Sequence, residues 1–259
     1  MNRFPFRSFL IVAVFLAGVP YSSWGVQEAG LSKAAIKAGM AYMRALSLAT
    51  AAYAHQDFAG ALDRLDVADQ IAPNIPDTWQ LRGAVYAEQQ AYDKAADAFE
   101  KQAQLNPGDF WPHYNLAELL LMEKKYGPAA TAFQGLEIYA GHDELVKYKT
   151  VFAYLMDGKP DAAKPVLDSM KFPGDTPAYY FAHSAWEFAH QNKNEGTTWY
   201  THALKIFGLP ACLSFYDSMV QVGWLPMRNK DGSVPEPAET AGGLTLPAAA
   251  PTGLNLGGT

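Results

Sequence analysis

Residues 55–73 read HQDFAGALDRLDVADQIAP, and thirty-four residues further on, 89–107 read QQAYDKAADAFEKQAQLNP. After another thirty-four, 123–141 read EKKYGPAATAFQGLEIYAG. The three align without a gap. An aromatic recurs at Phe58, Tyr92 and Tyr126, and an alanine at Ala61, Ala95 and Ala129. A large apolar residue recurs at Leu65, Phe99 and Phe133, and a helix stop at Pro73, Pro107 and Gly141. Apolar side chains three and four apart mark one face of a helix, so each copy reads as a helix closed by a turn. A fixed period of this length is the signature of a stacked array, whose units bury their apolar faces only against each other.

The segments before these helices repeat as well. Leu48-Ala49, Arg82-Gly83 and Leu116-Ala117 fall in one column pair, with Trp79 four before Gly83 and Tyr86 three after it. Each column has a physical cause. The alanines are small because two helices cross closely there, and a larger side chain overpacks the crossing. The large residues four positions later fill the space between hairpins. This pattern resembles the tetratricopeptide repeat family, with its Trp, Leu-Gly and Tyr on a first helix and its Ala, aromatic, Ala and Pro on a second. Residues 76–109 carry the closest copy, with Arg82 where the family has Leu and Gln102 where it has the second Ala. Residues 42–75 and 110–143 are good copies. Residues 144–177 are weaker, keeping Gly158, Ala163 and Leu167 but adding Pro160 and Pro165. Pro160 suits a helix start, whereas Pro165 sits in a helix interior, so a short or bent second helix is expected there.

The resemblance implies an all-α, right-handed solenoid of stacked helical hairpins. Its expected organisation is a signal peptide over 1–25, an N-terminal helical cap over 26–41 and four repeats over 42–177. A divergent fifth repeat and a capping helix follow over 178–227, and a disordered Pro/Gly/Ala-rich tail over 228–259. The capping helix is expected from Leu209 to Trp224, with Phe215, Met219 and Val222 on one face. The signal reading rests on Arg3 and Arg7, the apolar run Ser8–Val19 and the small residues Ser23 and Gly25. That order is the one of a Sec-type export signal, and the run is short for a membrane span of about twenty residues. The periplasm or the exterior is the expected location, with an uncleaved N-terminal anchor as the alternative.

Composition narrows the function. Twenty Lys and Arg stand against twenty-six Asp and Glu, a formal charge of −6, and no basic stripe stands out along the chain. Sequence-general nucleic-acid binding needs clustered cations, so it is disfavoured, as is an anionic membrane surface. The single cysteine, Cys212, forms no intrachain disulfide and no C-x-x-C pair, and its neighbours Ala211, Leu213 and Phe215 read as apolar core. No nucleophile elbow, Walker A loop, dinucleotide fingerprint or H-E-x-x-H motif is present. His183, Glu187 and His190 fall on one helix face, with His202 on the next helix, and form a weak metal candidate. Asp63, Asp66 and Asp69 read as a solvated helix face.

The resemblance further implies that first helices line a concave groove for a protein or peptide. Its richest columns are Trp111, Tyr114, Asn115 and Glu118 in the third unit and Tyr148, Lys149 and Phe152 in the fourth. The family subgroup that clamps a C-terminal carboxylate matches poorly. Its columns read Gln80, Ala84, Asn115, Leu145 and Lys149, of which only Asn115 and Lys149 have suitable chemistry. The expected function is a non-enzymatic scaffold without a cofactor. The alternatives are a structural homo-oligomer built through the apolar fourth and fifth units, and a metal-dependent activity at His183, Glu187 and His190.

Overall fold

A computed structural model describes residues 32–139 and 141–235. The proposed signal segment and most of the proposed tail lie outside these residues. Among the described residues the fold is all-α and of the solenoid class. Its helices are α1 (Lys33–Ala54), α2 (Phe58–Ile71), α3 (Pro76–Glu88), α4 (Tyr92–Leu105), α5 (Phe110–Met122), α6 (Tyr126–Gln134), α7 (Asp143–Met156), α8 (Pro160–Asp168), α9 (Pro177–Ala189) and α10 (Lys193–Gln221). A 3₁₀ turn, Gly135–Ile138, extends α6. The chain divides into two compact units, Met1–Ala132 and Phe133–Thr259.

One local device recurs along both units. Gln56, Gln90, Lys124, Gly158 and Gln191 all have φ between 59° and 69°, at spacings of thirty-four, thirty-four, thirty-four and thirty-three residues. Each follows a first helix, and its N–H donates to the carbonyl three residues back. The next residue's N–H reaches five back: Asp57 to Ala52, Ala91 to Tyr86, Lys125 to Leu120, Lys159 to Tyr154 and Asn192 to Glu187, at 2.8 to 2.9 Å. This is the left-handed C-terminal cap that satisfies carbonyls a helix end leaves bare. It turns each first helix into its second with the same geometry every time. The fifth unit, read from sequence as irregular in spacing, keeps the same turn one residue early.

The packing columns follow that frame. Ala61, Ala95, Ala129 and Ala163 are fully buried, and Gly196 takes the fifth place in the column. Leu65, Phe99, Phe133, Leu167 and Tyr200, four residues later in each second helix, are at most 2% exposed. In the first unit α1 packs on α2, α3 on α4, α2 on α3 and α4 on α5. In the second, α7 packs on α8 and α9, and α9 on α10. Ser184 Oγ donates to the Gly196 carbonyl at 2.7 Å, a buried bond that ties α9 to α10.

Three expectations are refined. The N-terminal helical segment is an extension of the first repeat's helix, because α1 runs unbroken from Lys33 into that repeat. The second helix of the fourth unit is short: α8 has nine residues, with Pro160 at its start and Pro165 inside it, against fourteen each in α2 and α4. Pro165 lacks the N–H that a longer helix would use. Finally, α10 carries the fifth second helix and the capping helix end to end, divided at Gly208 with φ 77° and ψ 161°. A residue with a Cβ rarely adopts that backbone, so glycine at this point allows the chain to change direction. Beyond α10, Arg228 pairs with Asp217 at 3.0 Å and Asn229 caps a turn with Ser233, so the stretch begun at 228 starts as ordered structure.

Candidate functional site

In the first unit the helices α1, α3 and α5 occupy equivalent places in successive hairpins. Two polar bonds join α1 to α3, one at the middle of α1 and one at its C-terminal end. Tyr42 and Thr78 share a hydrogen bond of 3.1 Å between buried hydroxyls. At the C-terminal end of α1, Tyr53 is hydrogen-bonded to Glu88, and its phenol is held well above the ordinary range, first by burial and then by the Glu88 charge. Neither ring therefore ionises at physiological pH, and each acts as a positioning bond.

Arg82 stands where the repeat pattern has Leu. Its Nη1 donates to Asp66 Oδ1 at 2.9 Å and its Nη2 to Asp69 Oδ2 at 2.6 Å, with the guanidinium 5.6 Å from the Trp79 ring. Asp66 is solvated as expected and Asp69 partly enclosed, and both grip a guanidinium whose side chain is only 11% exposed. The fork matches two carboxylates on one helix face, which a Leu column would leave unpaired. Gln102, the other departure from the pattern, is fully enclosed at 1% exposure.

On α5 the expected partner-binding residues separate into two groups. Trp111 and Glu118 are partly exposed, whereas Tyr114 and Asn115 are buried. Phe110, Trp111 and Tyr114 form one aromatic cluster, with edge-on contacts of 5.2 and 5.8 Å made by Trp111. Asn115 is 1% exposed, and neither its Oδ1 nor its Nδ2 has a hydrogen-bonding partner among the described residues. An amide left so costs on the order of 1–3 kcal/mol. On the first helices of the two preceding hairpins, Met43, Ser47 and Asp77 are exposed, and Leu46, Leu81 and Ala84 belong to the core.

In the second unit the corresponding residues are covered by the chain itself. Tyr148, Lys149 and Phe152 are all at most 5% exposed. Phe215, on the part of α10 after Gly208, packs edge-on against Tyr148 at 5.1 Å and stacks on Phe181 at 5.5 Å. Trp224 closes over Phe152 at 5.6 Å. Tyr216 OH donates to the Pro226 carbonyl at 2.9 Å and fastens the end of this segment. The terminal helix, expected to cap the solenoid, sets Phe215 against Tyr148 of α7 and Phe181 of α9. Its apolar face was legible, but the turn at Gly208 that redirects it has no signal in periodicity.

The structure does not assemble the metal candidate. His183 lies between the Tyr179 ring at 4.6 Å and the Trp199 ring at 4.5 Å, stacked on the latter. Burial brings its imidazole down to about 4. His190 leans on Trp186 at 4.1 Å with Nδ1 2.8 Å from the Trp186 carbonyl, and Glu187 accepts from Asn192 Nδ2 at 2.9 Å. His202 is buried, which lowers its affinity for a proton. Among the described residues no three His, Cys, Asp or Glu side chains converge as a metal site. One helix face was shared, but the side chains turn to different neighbours.

No family model matches the chain, and no curated protein matches it. Solved structures do. One, reported under the description "Functional Characterization of Pseudomonas Aeruginosa pilF", aligns with a TM-score of 0.52 at 13% identity, covering 72% of this chain and 94% of that one. At that identity the likeness speaks for the architecture alone, and the chain has a fold of tetratricopeptide-repeat type.

Proposed function

We propose that this protein is an exported, non-enzymatic scaffold that binds a protein or peptide partner on the first-helix face of its N-terminal unit. The observation that carries the reading is Asn115. Its amide offers one donor group and one acceptor and uses neither among the described residues. A peptide bond presents the complementary pair, and it reaches the enclosed amide once the partly exposed Trp111 and Glu118, four before and three after it, move aside. The hairpin backbones are in place before any partner arrives, so the ordering cost of binding is confined to these side chains. Export is supported by the residue order Arg3, Arg7, Ser8–Val19 and Gly25.

Photo-crosslinking amino acids at positions 111 and 118, introduced in the producing cell, test the reading. The same polypeptide is expected at both positions, and its capture is expected to vanish in Asn115→Leu, whose product remains helical by circular dichroism. Capture at position 67 on α2 serves as the comparison. Identical capture at all three positions, or unchanged capture in Asn115→Leu, overturns the site. Substitution of Tyr114 or Tyr148 is a poor probe, because both rings are completely buried.

A further inference from the structure

The start of α1 has an unusual surface. Every residue from Lys33 to Ala41 is exposed, and apart from its two lysines this stretch, KAAIKAGMA, has no polar side chain. Ile36 is 49% exposed, Met40 70% and Met43 54%. At 100° per residue these three lie within an arc of about 60°, and Lys33, Lys37 and Arg44 fall in the arc of about 40° beside it. The whole helix has no acidic residue, and none of the three cations makes an ion pair among the described residues. The buried side of α1, with Tyr42, Ala45, Leu46 and Ala49, points the other way. The sequence showed no basic stripe because the cations are spaced four and seven apart and gather only on the folded helix.

We propose that this face of α1 docks on an anionic lipid bilayer. A helix with an apolar stripe bordered by cations lies in the interface, its apolar side chains among the acyl chains and its lysines reaching the phosphates. Three features favour lipid over other occupants. A second copy pairing through the same face would set cation against cation. Among the described residues the first turns of α1 have no neighbouring element to form a groove wall for a partner helix, whereas a bilayer deforms around a projecting helix. The apolar run Ser8–Val19 ends only fourteen residues before Lys33, so a bilayer holding that run lies within roughly 50 Å of the face. The overall charge of −6 opposes this weakly, because charges beyond about 10 Å are screened at physiological salt.

The test uses the full chain carrying Met40→Cys labelled with an environment-sensitive fluorophore, with Cys212 replaced by Ala so that position 40 alone is labelled. The expected result is a blue shift on adding phosphatidylglycerol–phosphatidylethanolamine vesicles and none with pure phosphatidylcholine. The partition falls as salt rises, and falls roughly a hundredfold in K33E/K37E/R44E. A label at Val67→Cys, equally free on α2, stays unshifted. Flotation on both vesicle types with no shift at position 40 means that the N-terminal apolar run binds alone, and overturns the proposal. A shift at position 40 that needs no vesicle and rises with protein concentration assigns the face to a second copy. One that needs an added acidic protein assigns it to that protein. Either of these results overturns it too.

Discussion

A Cβ placed on Gly83 would stand 2.5 Å from Cε1 of Phe99, inside the ring's contact distance. The absence of one side chain on α3 and the size of another on α4 are a single packing decision. The second hairpin closes because the ring lies where a first helix would otherwise present a methyl group.

Gly83→Ala is therefore expected to destabilise the protein despite the better helix propensity of alanine. Propensity favours Ala by about 1 kcal/mol, and forcing the buried Phe99 ring aside costs typically 1–3 kcal/mol. Phe99→Leu in the same chain restores the space, and the double variant is expected to lie closer to the parent than additivity allows. Urea denaturation of all four proteins measures the coupling. Strict additivity would show that the ring moves aside freely.

The Arg82 fork gives a second contrast. Arg82→Leu restores the family residue and removes the charge, and it leaves the two aspartates to water at the hairpin's edge. Stability is expected to change by less than about 1.5 kcal/mol. Asp66→Asn with Asp69→Asn leaves an enclosed guanidinium with weaker acceptors and is expected to cost more, about 3 kcal/mol. Thermal melts of the two variants settle the order.

His183 makes stability depend on pH. The unfolded ring takes up a proton near pH 6.5, and the folded ring, wedged between Tyr179 and Trp199, only near 4. As pH falls through that window the unfolded state binds more protons, so stability declines, and the contribution is gone below pH 4. The amplitude is on the order of 2–3 kcal/mol. His183→Phe is expected to flatten the profile between pH 6.5 and 4 relative to the parent. Equal slopes in chemical denaturation across that range would refute the assignment.

Cys212 is fully buried, and burial pushes its thiol up to about 11. It is expected to resist a disulfide reagent at neutral pH in the folded protein and to react at once in denaturant. Its labelling rate in increasing urea then reports opening of the segment after Gly208. Rapid labelling without denaturant would show that this segment is loosely held.

The period of thirty-four residues was enough to place the alanine and large apolar columns, because volume constraints at helix crossings write directly into residue size. The fifth unit was harder to read. Gly196 takes the alanine column and Tyr200 the large one, but a single missing residue before Gln191 shifts both out of register. The proposed groove residues were the least legible. Inner-face and core positions alternate along a first helix by one residue, so Asn115 and Tyr114 appear equivalent to Trp111 until their surroundings are known. Nothing in the spacing announces that Phe215 and Trp224 return to lie on Tyr148 and Phe152.

That return has a consequence for the chemistry of recognition. The C-terminal unit supplies its own occupant, a helix presenting Phe215 and then Trp224 from a stretch tethered through Gly208. An outside visitor would have to compete with a rival joined by a few covalent bonds, whose local abundance no diffusing molecule matches. The two halves of the chain are thus unequal: one arrives already engaged, and vacancies for strangers are to be sought in the other.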